Sequence, residues 1–418
     1  MNTTSSQTSS PLPSFTVFGS MAIVIGIVIG VGIFRLPPLI AMNSTGELQF
    51  ILFWVVGGFI SLMGALCYAE LSSAMPNAGG EYYFLRKAYG PGTGFLLSWG
   101  RMTVIQTGSL AIIAFILGDF ATIILDLGSY SASIYAASAI ILLTALNILG
   151  TLHSSRVQSV LALLIVVTLT AVIAGGLFAR GSDIHGLTLH LSQAPVFSGG
   201  ISGLAMIFVL LTFGGWSEAA YITGEMRNVR KTVVRALVFG ILIITALYVL
   251  VNLAYLRVLG FEGLKASETV GHDLAEIIFG PFGSILVVAI VLIAALSTAN
   301  ATIITGARTN YAIGRDFRMF RFMGAWNEAR NTPVVALLVQ GAIALLLVGI
   351  GARSKQAIQT MVDFTAPVFW FFIVLTTVSI FIFRYRDKES SGGYRVPLFP
   401  APPVLFLLAG CYMLYNSV

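Results

Sequence analysis

Apolar residues fill this chain in stretches of about 20 to 30 positions, broken by short clusters of charge, glycine and proline, from Val17 to the last residues. Most of these stretches are long enough to cross a hydrocarbon layer of roughly 30 Å. Read against their punctuation, the runs predict spans at 16–41, 48–75, 92–125, 131–150, 157–179, 200–226, 232–259, 281–311, 333–351, 357–384 and 401–416. These are helices: the strands of a membrane barrel are shorter and alternate in polarity, whereas a helix satisfies its own backbone. The pattern therefore predicts an all-α polytopic membrane protein with eleven visible spans. The polar, uncharged start lacks the basic region of a cleaved signal, so 1–15 reads as a disordered cytoplasmic tail.

Two runs are interrupted. Span one carries Gly30-Val31-Gly32 within IVIGVGIFRLPP (27–38), and span six carries Phe213-Gly214-Gly215-Trp216-Ser217. The breaks lie five spans apart, and an odd number reverses direction through the membrane. That predicts two inverted halves, 16–179 and 200–384, followed by helix 11 at 401–418. At a break, N–H and C=O groups lose their helical partners and are costly in hydrocarbon unless they line a cavity or meet a ligand. Free amides and the positive helix end after Gly32 suit a carboxylate, and the carbonyls ending the preceding half-helix suit an ammonium; a zwitterion satisfies both. In span six, Ser217 and Glu218 read as the N-cap and first-turn acid of the next half-helix. Glycines of this kind also serve as close-packing residues between membrane helices. Their pairing at corresponding places in opposed halves points to a central transport site.

Composition narrows the class. Of 418 residues, 57% are hydrophobic and 10% charged, with a mean hydropathy of +0.92, too little polar surface for soluble domains. The net charge of +6 comes from residues that flank spans. Counted by loop, sixteen lysines and arginines lie on the N-terminal side and six on the other, Arg101 inside span three completing the 23. The N-terminus is thus expected in the cytoplasm of a cell-membrane protein, and nucleic acid is not an expected partner. An odd number of spans leaves Val418 outside without a polar tail, as if a twelfth helix were lost or truncated. The two cysteines, Cys67 and Cys411, sit in apolar runs and make no disulfide framework or metal motif. The histidines lack HExxH spacing, and the glycine-rich loop 77–92 lacks a phosphate-cradling pattern. Nothing suggests an enzyme or a cofactor. That loop is expected at the interface, with Tyr82, Tyr83 and Phe84 in the headgroup layer and Arg86 and Lys87 toward water or anionic lipid.

Five stretches together resemble the amino acid-polyamine-organocation transporter superfamily, in its bacterial branch similar to L-type amino acid transporters: IGVGIF (29–34), CYAELSSAMPNAGGEYYFLRKAYGP (67–91), FGGWSEAAYITGEMRNVRK (213–231), NATIITGARTNYAIGRD (300–316) and TAPVFWFF (365–372). The resemblance implies twelve helices, helices 1–5 and 6–10 as inverted repeats of the leucine-transporter type, and alternating access by rocking of helices 1, 2, 6 and 7 against 3, 4, 8 and 9. It also implies that a substrate carboxylate meets the amides of Val31, Gly32 and Ile33. The ammonium would meet the carbonyls of Val28, Leu211 and Gly214, with Gly30, Phe213, Gly215 and Trp216 completing the backbone site. For the loop 77–92 it adds a gate role.

Three departures from the family pattern shape the expectation. Val31 replaces a frequent serine, leaving carboxylate recognition to backbone amides. Leu211 stands where an aromatic gate is common, and Phe213 is its expected substitute. Ile165 stands where many relatives place a lysine in helix five, which turns attention to a sodium site near Ser297 and Thr298, whose hydroxyls suit a hard cation, or to uncoupled exchange. These hydroxyls also have the option of bonding their own helix. Glu218 is either a proton-coupling acid or a helix-start residue. Glu70, Asp119 and Asp363 are expected to be paired groups. The substrate side chain is expected near Gln106, Thr107, Phe213, Trp216, Asn300 and Phe364, a set that favours a neutral amino acid. The reading is a secondary amino acid transporter or exchanger, with a sodium ion or proton as possible co-ion. A sensor on the same scaffold, or a carrier of cationic amino acids or amines, is the alternative. Accessory subunits and oligomeric state leave no mark in the sequence.

Overall fold

The computed structural model describes residues 12–178, 203–267, 269–352, 357–386 and 393–417, with the side chains of 281, 284 and 357–364 left aside. Among the described residues the chain is helical, with two isolated β-bridges and no strand. Ten helices are long and apolar enough to cross a membrane. They run from span one (Val17–Arg35) and span two (Glu47–Ala74) through span three (Pro91–Ile124), span four (Ser131–Ile148) and span five (Thr151–Phe178). Span six (Gly203–Glu225), span seven (Val229–Ala266), span eight (Ile285–Asp316), span nine (Val334–Gly351) and span ten (Thr365–Arg386) follow. The eleventh run forms a helix of 17 residues, Ala401–Ser417, about 25 Å long at 1.5 Å per residue and thus shorter than the hydrocarbon layer.

Boundaries differ from the sequence reading where local chemistry overrides hydropathy. Span five begins at Thr151, six residues before the apolar run, because polar His153, Ser155 and Arg156 are carried on its first turns. Span seven continues to Ala266 past a kink at Gly260, whose φ of 69° only glycine takes without strain. The last tail residues are also part of the fold. Phe15 is buried, bridges to Met226, and leads directly into the Thr16 side chain that caps span one.

Lipid tails give helices no hydrophobic reason to associate, so the interior is marked by close packing and paired polar groups. Spans one, six and eight are the most enclosed, 67%, 61% and 72% of their apolar windows lying inside the protein, against 33% for span five. The two interrupted spans and span eight therefore form the centre. Four ion pairs tie the end of the bundle where span one begins, here called the basal end: Arg101–Glu218, Arg308–Glu225, Arg384–Glu70 and Arg86–Asp316. The loop 77–92 is packed into this end on one side, while Lys87, Pro91 and Gly92 stay exposed as expected of a surface segment. Its short helix Glu81–Tyr89 buries Tyr82 and Phe84, and Arg86 is held by Asp316 at 2.6 Å instead of facing lipid.

Candidate substrate site at the two helix breaks

Span one is a helix over Val17–Val28, loses its regular form at Ile29 (ψ 78°), and resumes only as the four-residue helix Gly32–Arg35 before Pro37–Met42. Gly30 turns its N–H back onto Val28 O at 2.8 Å. No backbone acceptor is found among the described residues for the amides of Val31, Gly32 and Ile33. Span six is α-helical over Gly203–Thr212, turns at Phe213-Gly214-Gly215, and continues as a 3₁₀ helix over Trp216–Glu225. Gly215 has φ of 105°, and a Cβ there would lie 2.2 Å from Ile27 Cγ2. The two breaks thus lie against each other, and Gly30, Val31, Gly214 and Gly215 remain half-buried.

One side chain joins them. The buried Tyr248 of span seven donates its hydroxyl to Val28 O at 2.7 Å, with Thr212 O at 3.2 Å, so a single phenol serves a freed carbonyl of each break. Its ring packs against Phe213 and Trp54, centroids 5.0 and 5.6 Å away. Nothing in the apolar pattern of span seven marks Tyr248.

The carbonyls expected to hold an ammonium are partly engaged. Val28 O accepts from both Gly30 N and Tyr248, and Leu211 O accepts from Gly214 N at 3.1 Å. The Leu211 side chain is half exposed and covers no site, and Phe213 is wholly buried in the aromatic cluster and is not poised over the breaks. Trp216 packs edge-on against Tyr68, 5.1 Å between centroids, and against Phe406.

Of the side-chain pocket candidates, Gln106 lies beside the break of span six. Its amide donates to Thr302 O and Thr305 Oγ1 at 3.0 Å and approaches Glu218 at 3.4 Å. Thr107 is tied to Met102 O at 3.0 Å. This bond crosses a π-helical segment, Arg101–Ile105, of the sort often found at functional sites. Asn300 belongs elsewhere: it receives a bond from Asn147 and donates to Gln158, both at 2.9 Å, inside a polar seam between spans four, five and eight. The side chains of Phe364 and Asp363 fall outside the described ones.

The proposed cation ligands are also committed. Ser297 Oγ accepts from the Gln158 amide at 3.0 Å, and Thr298 Oγ1 donates to Gly26 O at 3.0 Å. Gly26 is what lets Gln158 in, since a Cβ there would lie 2.1 Å from the amide nitrogen and 2.4 Å from Ser297 Oγ. The space between spans one and eight is filled by a neutral amide.

Glu218 faces a partner that the sequence did show, Arg101, the basic residue that falls within span three and is assigned to neither side of the membrane. Arg101 forks onto both of its oxygens at 2.9 and 2.8 Å in the buried interior, while Arg101 Nε and Ser217 Oγ have no hydrogen-bond partner among the described residues. Glu218 is thus a paired ion between spans three and six; it stands in the first turn of the 3₁₀ half-helix as expected, whereas the N-cap is Gly215 and not Ser217. Glu70 is likewise forked by Arg384 at 2.7 and 2.6 Å.

Two abutting helix breaks among complete spans, with free amides on one and a Gly-Gly turn on the other, are the arrangement by which membrane carriers are recognised. The family agrees. A profile of the amino acid permease family matches residues 15–417, and the chain belongs to that family. It is similar to the b(0,+)-type amino acid transporter 1 of Mus musculus, 28% identical over 96% of this chain and 82% of that protein. It is also similar to the serine/threonine exchanger SteT of Bacillus subtilis, 26% identical over 95% of this chain and 89% of that protein, and to the cystine/glutamate transporter of Homo sapiens, 26% identical over 96% and 80%. The protein is an amino acid transporter and not an enzyme.

Proposed function

We propose that the protein exchanges neutral amino acids across the cell membrane by alternating access, with its N-terminus in the cytoplasm and spans one to five and six to ten acting as two inverted repeats. The observation that carries this reading is the bridging of the two breaks by Tyr248, which supports a site where the unbonded amides of Val31, Gly32 and Ile33 work with the carbonyl of Gly214. A carboxylate is held by the amides and an ammonium by that carbonyl. Val28 O becomes available to the ammonium when Tyr248 turns aside. Val31 offers no hydroxyl, so recognition of the carboxylate rests on the backbone.

Two further points support the details. Glu218, three residues past the Gly-Gly turn, is forked by Arg101, so this acid is not open to a cationic side chain. The oxygens of Ser297 and Thr298 are bound to Gln158 and Gly26, which argues for sodium-independent exchange. An exchanger among the relatives fits this reading.

The test is counterflow in proteoliposomes across a panel of labelled amino acids. Saturable exchange of neutral members, with cationic and acidic ones excluded, is the expected result; no flux for any of them sinks the reading. Gly32→Val should abolish binding while the purified protein melts as a single folded species, because the added branches cover the amides.

A further inference from the structure

Glu81 opens the short helix Glu81–Tyr89 and is 3% exposed. Its two carboxylate oxygens each accept a phenol: Tyr68 of span two at 2.7 Å and Tyr221 of span six at 2.8 Å. Arg101 lies over the Tyr221 ring, 4.0 Å from guanidinium carbon to centroid, and forks onto Glu218. The cluster thus holds two carboxylates and one guanidinium, and the guanidinium bonds only one of the two. The other charged groups nearby are already matched: Arg86 with Asp316, Arg308 with Glu225, Arg384 with Glu70. Span ten carries Arg384 and Arg386 in its last turn and the short helix Arg86 and Lys87, but the charges that act on Glu81 are those of Arg101 and Glu218.

With both acids ionised, this dry centre carries an uncompensated negative charge, which low-dielectric surroundings penalise heavily. One proton removes it. Phenol hydroxyls accept as well as donate, so one of Tyr68 and Tyr221 can take a bond from a neutral Glu81, although both phenols donate only to the ionised form.

We propose that Glu81 is a proton-binding residue of the cytoplasmic gate, neutral while the basal end is shut and ionised when it opens. The inference rests on the amino acid transport reading and its orientation. A proton from cytoplasmic water joins a Glu81 oxygen as Tyr68, Tyr221 and Glu81 come together, and returns to that water when spans two and six, which carry the phenols, move away from the short helix and span three; no proton crosses the membrane. Burial pushes the Glu81 carboxyl above the ordinary carboxylate range, Arg101 opposes this and Glu218 adds to it. The shut form therefore holds its proton more tightly than the open or unfolded form. Its stability is fully present at low pH and is lost as pH rises from the ordinary carboxyl value, about 4.3, through the raised one.

Two measurements test this on the full-length protein. In proteoliposomes at symmetric pH, wild-type serine or leucine counterflow should speed up by up to tenfold per pH unit as Glu81 ionises, while Glu81→Gln, which mimics the neutral form, stays at the low-pH rate throughout. In detergent, the melting midpoint of wild type should fall from pH 5 to 8.5 and that of Glu81→Gln should not. Tyr221→Phe removes a donor to the ionised form and should move both wild-type profiles to higher pH. Matching wild-type and Glu81→Gln profiles overturn the proposal, and so does an unshifted Tyr221→Phe if Glu81→Gln does not fold. Absence of flux for every amino acid defeats the transport reading instead, and the melting profiles still decide the protonation of Glu81.

Discussion

Tyr248 shows how much a single buried phenol can hold. Replacing it with phenylalanine keeps the aromatic contacts but leaves Val28 O short of a donor and Thr212 O without the hydroxyl, and an unsatisfied buried group costs about 1–3 kcal/mol. We expect Tyr248→Phe to melt lower and to exchange more slowly, read by thermal unfolding and counterflow; wild-type behaviour in both would remove Tyr248 from the site. Gly26→Ala should destabilise by about 1–3 kcal/mol, as overpacking does, because its Cβ meets Gln158 and Ser297, whereas Gly349→Ala, which meets nothing within 4 Å, should be neutral in the same melting assay. The glycines of the breaks were legible in sequence because they punctuate apolar runs. Tyr248 and Gln158 were not, since an isolated polar residue in a span looks the same whether it faces a neighbour, a ligand or lipid. Arg101 was visible and was set aside in counting loops; an arginine in mid-span demanded a buried acid, and Glu218 was the nearest candidate in kind.

At the scale of elements, hydropathy located the spans because bilayer thickness fixes their length, and it misjudged ends where charge or glycine decides, as at Thr151 and Gly260. It was blind to winding. The π segment in span three and the 3₁₀ half of span six leave no trace in composition, yet they bring Arg101 and Glu218 together. Arg308 of span eight and Glu225 of span six form a second buried fork, at 2.5 and 3.0 Å. Breaking a buried pair from one side costs about 3–5 kcal/mol. Glu225→Gln should therefore melt well below wild type, and the double change Glu225→Gln with Arg308→Met should recover part of the loss. A double variant no better than the sum of the singles would show that the pair does not act as a unit.

For the whole molecule, the basal end is shut by paired ions while the breaks stay half-buried, the arrangement of a carrier closed on its cytoplasmic side in the orientation proposed above. Replacing sodium with choline should leave exchange unchanged, since Gln158 takes the place between spans one and eight; a strict sodium requirement would contradict that assignment. One feature of span six then acquires a mechanical meaning. Ten residues wound as a 3₁₀ helix rise about 20 Å, and the same ten wound as an α-helix about 15 Å. Rewinding would shorten the rod by about 5 Å between the Gly-Gly turn and Glu225, a stroke long enough to pull the Glu225 carboxylate off Arg308 without moving the turn at its other end.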